Sequence, residues 1–133
     1  MIQKWIKNRL ALVVPQLEWT VDFKTGQDHT GVVYVESPGT PDDYDARLQY
    51  PTYQIEVETS DRANIESWVW AIHEAMDRTM NQKAVIIPGQ IEFDILYITA
   101  VPPIPVGFDG KKQIYTINLQ TTVKKTTKTI INI

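Results

Sequence analysis

His29 and His73 are the only histidines in this chain, and it has no cysteine. There is therefore no thiolate metal site and no cysteine nucleophile, and metal ligands would come chiefly from these two residues and from carboxylates. His73 and Asp77 stand at the i,i+4 spacing that places two ligands on one helix face. With no third ligand beside them, His73 reads as a solvated surface histidine. His29 lies in Gly26-Gln-Asp-His-Thr-Gly31, between two glycines, and reads as a loop residue. Asp42, Asp43 and Asp45 form the densest acidic cluster. A calcium loop needs oxygens at alternating positions, a central glycine and a distal bidentate glutamate; that spacing is absent. There is also no phosphate-cradling glycine loop, no Gly-x-Ser-x-Gly elbow and no His-Glu-x-x-His. No catalytic, cofactor-binding or metal-ligating residue is predicted, and the chain is not expected to be an enzyme.

The elements around these residues are legible from periodicity. Ile2, Trp5, Ile6, Arg9, Leu10 and Val13 recur at helical spacing and predict a helix over 2–13, stopped by Pro15. Gly31–Glu36 is a β-rich run, and residues 19–31 could hold a short irregular strand. Ser37–Arg47, with two prolines and one glycine, reads as a long surface loop. Its three aspartates offer little apolar surface to offset ordering, so it is expected to be mobile until it meets a partner. Tyr53, Ile55, Val57 and Thr59 alternate with Gln54, Glu56 and Glu58, the period of a half-buried strand. Ser60 or Asp61 could cap a helix running to about Met80, with Ile65, Trp68, Val69, Ile72, Met76 and Met80 as its buried stripe.

Ile91–Thr99 and Tyr115–Lys124 alternate as strands, joined by the turn-rich stretch 101–110 into a β-hairpin. The expected fold is α+β: one small mixed or antiparallel sheet, about two helices on one face, and a C-terminal β-hairpin, all within 1–133 as a single domain. Residues 126–133 read as a possible extended tail. The apolar run Leu10–Val14 is too short for a signal sequence or a membrane span. A cytosolic, unprocessed protein with no membrane partner is expected.

Charge and one aromatic residue point toward assembly. Residues 1–110 carry eight Lys/Arg against sixteen Asp/Glu, a balance of −8, whereas 111–133 carry Lys111, Lys112, Lys124, Lys125 and Lys128 and no acid. The lysines either guard a solvated strand edge or dock on an acidic surface, on nucleic acid or on a neighbouring copy. Trp70 falls about 120° from the centre of the helical stripe at 100° per residue. An exposed Trp suggests a contact, since Trp is enriched at interface hot spots; the alternative is that a loop of the same domain covers it. Trp70, Asp42, Asp43, Asp45, Lys111, Lys112, Lys124 and Lys125 are the candidate interface residues.

This order of features resembles the tail-terminator (tail-completion) family of tailed bacteriophages. A cysteine-free chain opens with a short amphipathic helix. A long loop leads into Tyr50-Pro-Thr-Tyr-Gln-Ile-Glu-Val-Glu-Thr59, a capped helix begins Ser60-Asp-Arg-Ala-Asn-Ile-Glu-Ser-Trp-Val69, and a hairpin closes the chain. The Thr/Lys-rich C-terminal stretch departs from the pattern. The resemblance implies a homo-oligomeric ring, typically a hexamer, that caps the tail tube and faces the head–tail connector. Its partners would be other copies, the tail tube protein and connector proteins, with assembly in the host cytoplasm and residence in the virion. It implies no catalytic residue, no cofactor and no specific nucleic acid. Other head-completion or tail components, and a small nucleic-acid-binding or regulatory domain, are the alternatives.

Overall fold

The computed structural model describes residues 2–126; the expected tail lies, beyond Thr126, outside the described residues. The molecule is α+β, with two helices and an eight-stranded, mainly antiparallel sheet. Helix α1 (Ile2–Val13) buries Ile2, Ile6 and Leu10, one residue per turn. Helix α2 (Ile65–Met76) buries Ile65, Val69, Ile72 and Met76. Both stripes enter one core with Val33, Ile55, Val57, Ile95, Ile98, Ile117 and Leu119. Trp68 is only partly buried at the margin of that core.

The strands are β1 (Glu18–Val21), β2 (Thr30–Ser37), β3 (Leu48–Gln49), β4 (Thr52–Thr59), β5 (Thr79–Ile87), β6 (Ile91–Ala100), β7 (Ile104–Asp109) and β8 (Lys112–Lys125). Their order is β1-β2-β4-β8-β6-β5, and β3 and β7 also pair with β8. Strand β8 is the spine. On one side it carries β4 and then β3; on the other its first residues pair with β7 and its last with β6. Helix α1 touches β1 and β2 at one end of the order and β5 at the other, so the sheet curls around it.

The second helix is shorter than its periodicity suggests. Residues 61–64 form a turn in which the Asp61 carboxylate accepts the Asn64 backbone N–H, at 3.2 Å, and the helix starts at Ile65. It stops after Met76 because Asp77 turns to an extended ψ of 135° and Arg78 takes a left-handed φ of 59°. Met80, expected in the buried stripe, lies instead on β5 and is 54% exposed. Its i+4 spacing from Met76 was a coincidence of sequence.

Strands β1 and β2 are parallel neighbours, joined by residues 22–29 alone, although parallel crossovers usually need a dozen or more residues. Asp22, Gly26 and His29 all adopt left-handed φ, at 62°, 79° and 58°, to make the short return. Side chains then hold the crossover down. The Asp22 carboxylate accepts Gln3 Nε2–H at 3.0 Å and the Val35 N–H at 3.2 Å. Asp28 accepts the Ser60 N–H at 2.9 Å and also the Ser60 hydroxyl, and His29 Nδ1 lies 2.5 Å from Thr59 Oγ1. The loop histidine foreseen in the sequence is thus a fixed point between β1 and the end of β4.

Tyr53, 4% exposed at the core side of β4, has its phenol pushed up to about 12, chiefly by burial. A neutral phenol is therefore favoured in the fold. Its stabilising contribution is complete below the unfolded value near 10 and is lost as pH rises from there through about 12. A shift of about two units corresponds to roughly 3 kcal/mol. Denaturation midpoints of the native chain should fall steeply over that window, and Tyr53→Phe should flatten the fall; an unchanged profile in the variant would refute this origin.

Candidate assembly surface

The exposed flank of α2 carries Glu66, Trp70 and Glu74, spaced one turn apart and outside the buried stripe. Trp70 is 44% exposed, so the domain's own loops do not bury it. Its ring meets His73 edge to face, with centroids 5.3 Å apart at 70°, a preferred aromatic geometry. His73 Nε2–H donates to the Ala100 carbonyl at 3.1 Å, and the Asp77 carboxylate accepts the Ala100 N–H at 2.9 Å. The i,i+4 pair therefore spends its polar atoms on both backbone groups of one residue. It clamps the C-terminal end of α2 to the end of β6 and orients the Trp70 ring.

Strand β7 leaves just beyond that clamp. It pairs antiparallel with β8, Ile104 opposite Thr116 and Phe108 opposite Gln113, and its other edge is unpaired among the described residues. Gln113 shares the helix-facing side of β8 with Tyr115 and Ile117 by alternation, which puts Phe108 on the side of α2. There the Arg62 guanidinium lies 4.7 Å from the centre of the Phe108 ring, a cation–π contact. Val101, Ile104, Val106, Phe108 and Trp70 are all exposed. Phe108 and Trp70 stand on the helix side, where α2 also exposes Glu66 and Glu74; Ile104, opposite Thr116, and Asp109, opposite Lys112, face the other side of the sheet. A register shift between Pro105 and Gly107 interrupts the strand; with Pro105, it blunts the open edge against indiscriminate pairing.

The sequence reading found Trp70 but missed β7. Val101-Pro-Pro-Ile-Pro105 reads as a turn because proline is a breaker. The usable signal was the β-prone Ile104, Val106 and Phe108, which an edge strand can combine with proline; the register shift between Pro105 and Gly107 breaks their alternation.

The other candidate residues lie elsewhere. The Asp42 carboxylate accepts the Tyr44 N–H at 2.8 Å, the Asp45 N–H at 3.2 Å and the Tyr50 hydroxyl at 2.6 Å; these bonds, the Tyr50 one foremost, hold it below its usual carboxylate range. Asp45 is likewise lowered, chiefly by its two-pronged pairing with Arg47. Asp43 is exposed beside them. The acidic cluster thus organises its own loop, and the structure does not bring it to Trp70.

Nor do the lysines form a separate basic face. Lys112 Nζ donates to the Gly26 and Gln27 carbonyls at 3.1 and 3.3 Å and lies 3.9 Å from Glu58. Lys124 stands opposite Asp94 across the β6–β8 pair. With Arg47, Asp94, Lys125 and Thr126 it lines an open depression of about 500 Å³. Lys111 and Lys125 are exposed. The charge asymmetry along the chain becomes, in three dimensions, an interleaving of signs.

Among the described residues no three His, Cys, Asp or Glu side chains gather closely enough to hold a metal ion, and no helix is long and apolar enough to cross a membrane. No protein-family model matches the chain, and no curated protein matches it. Among solved structures, one is similar over 96% of this chain and 92% of its own, with a TM-score of 0.54 and 10% identity. At that identity the likeness concerns the fold alone.

Proposed function

We propose that this protein is a structural component of a tailed-phage virion: a ring-forming tail terminator that caps the tail tube and contributes to the head–tail junction. The observation that carries the reading is the exposed apolar border of α2 and β7, Trp70 and Phe108 foremost, with the Trp70 ring set edge to face on a His73 that is itself tied to Ala100. Monomeric proteins seldom leave such a border uncovered, and it suits contact with a further subunit. The order of elements named in the resemblance supports the same reading. Interleaved charge weighs against a nucleic-acid surface, because Lys112 and Lys124 face carboxylates rather than standing in a free basic stripe.

The decisive experiment is genetic. The gene should lie beside tail-tube and tape-measure genes, and its loss in that phage should give overlong tubes that fail to join heads. Tails of normal length joined to heads would overturn the reading. In solution, Trp70→Ala should weaken self-association about tenfold or more, the usual effect of losing a hot-spot aromatic. Because the border is mainly apolar, that loss should be similar at about 0.1 M and 1 M salt, where screening lengths are about 10 Å and 3 Å. Light scattering across a concentration series measures both; a loss confined to low salt would place the contact on charges instead.

A further inference from the structure

We infer that the groove between α1 and the free edge of β1 receives Tyr44 of a second copy of this chain, presented by that copy's acidic loop. This contact rests on the assembly reading above and is distinct from the α2–β7 border.

Strand β1 ends the strand order, so its outer edge is unpaired among the described residues. Beside that edge the first two turns of α1 bring up Lys4 and Lys7, and a groove of about 330 Å³ opens between them and residues 19–23. Trp19 and Val21 alternate with Thr20 along the strand, and all three line the groove, as expected of a groove that follows an edge. Phe23, at the exit of β1, is 60% exposed, and its carbonyl accepts the Thr20 hydroxyl at 2.6 Å. The lining is thus largely aromatic and apolar, with a positive rim. Neither lysine has an ion-pair partner among the described residues. Asp22, the one acid in the lining, spends one carboxylate oxygen on Gln3 and the other on the Val35 N–H.

The loop between β2 and β3 carries the complement. Tyr44 is 99% exposed, so it does not occupy the groove of its own subunit. Its side chain is free while its backbone is fixed. The Asp42 carboxylate accepts the Tyr44 N–H at 2.8 Å and the Tyr50 hydroxyl at 2.6 Å, and the Leu48 carbonyl accepts the Asp42 N–H at 2.9 Å. A ring presented from a fixed turn loses little freedom on docking. Asp45 is paired with Arg47, but Asp43, next to Tyr44, is exposed and has no ion-pair partner among the described residues. An aromatic ring beside a free carboxylate matches an aromatic groove beside two free ammonium groups in both shape and charge. Repeated from copy to copy, the contact links subunits head to tail, as a closing ring requires.

Complementation between two full-length variants tests it, both carrying Trp70→Ala so that the α2–β7 border does not contribute. One adds Tyr44→Ala and keeps the groove; the other adds Lys4→Glu with Lys7→Glu and keeps the tyrosine. In sedimentation, each alone should associate about tenfold or more weakly than the Trp70→Ala parent. An equimolar mixture should regain pairs containing one of each. Their population should fall several-fold between about 0.1 M and 1 M salt as screening shortens. Urea midpoints should match the parent's, because none of the three side chains has a hydrogen bond or ion pair among the described residues. Should either variant associate as the parent does, the parent stay monomeric at all concentrations, or the mixture form no pairs, the contact is wrong. The ring reading would then still stand or fall on tail length in the phage.

Discussion

Lys112→Glu should destabilise the monomer by roughly 3–5 kcal/mol, a cost of the kind seen when a buried charge loses its partner. Glu58 is 5% exposed and is held between Lys24, 3.3 Å from one carboxylate oxygen, and Lys112, 3.9 Å from the other. Lys24 is shared, because it also meets Glu56 at 2.5 Å, and its ammonium is pushed up first by that hydrogen bond. A glutamate at 112 sets a second carboxylate against Glu58. It also withdraws the donor from the Gly26 and Gln27 carbonyls, releasing the crossover that joins β1 to β2. Lys125→Glu, an exposed site on the same strand, should change stability by no more than about 0.5 kcal/mol. Urea denaturation of the two variants decides: equal midpoints would mean that Lys112 is only a surface charge. The comparison also guards against misreading an assembly assay, since a variant carrying Lys112→Glu could lose association because it unfolds.

Gly31→Ala should cost about 2–4 kcal/mol, more than removing a glycine from a strand would ordinarily suggest. A Cβ at residue 31 would stand 2.6–2.8 Å from three ring atoms of Trp19, well inside van der Waals contact. The ring cannot easily withdraw. It is 8% exposed, its Nε1–H donates to the Val14 carbonyl at 2.9 Å, and it belongs to the core that receives α1. Overpacking of such a site typically costs about 1–3 kcal/mol, and loss of the buried hydrogen bond adds about 1 kcal/mol. Trp19→Phe should relieve part of the penalty in the double variant, because the smaller ring leaves space above residue 31. Additive effects of the two substitutions in a double-mutant cycle would show that the ring does not rest on Gly31.

Sequence periodicity was enough to determine the α+β class, helix α1, the buried stripe from Ile65 to Met76, and strands β4, β6 and β8. Each of these puts one face against the core, and a face recurring every two or 3.6 residues is a local signal. The exposure of Trp70 was readable for the same reason, as an apolar residue outside its own helix's stripe. What the sequence left undetermined depends on partners distant along the chain. Strand β5 is an edge strand with few buried side chains, so its alternation is weak, and its first residues continue the helical spacing of α2 until Asp77 finds the Ala100 N–H. Strand β7 is built from proline-rich sequence that becomes a strand only because β8 extends past β6 and offers it a free edge. The lysines show the same limit most clearly. A one-dimensional count separates a basic end from an acidic body. The long β8, however, runs through the middle of the sheet and delivers Lys112 to Glu58 and Lys124 to Asp94. Charge adds along a sequence, but its field depends on distance in space, and only the tertiary structure decides those distances.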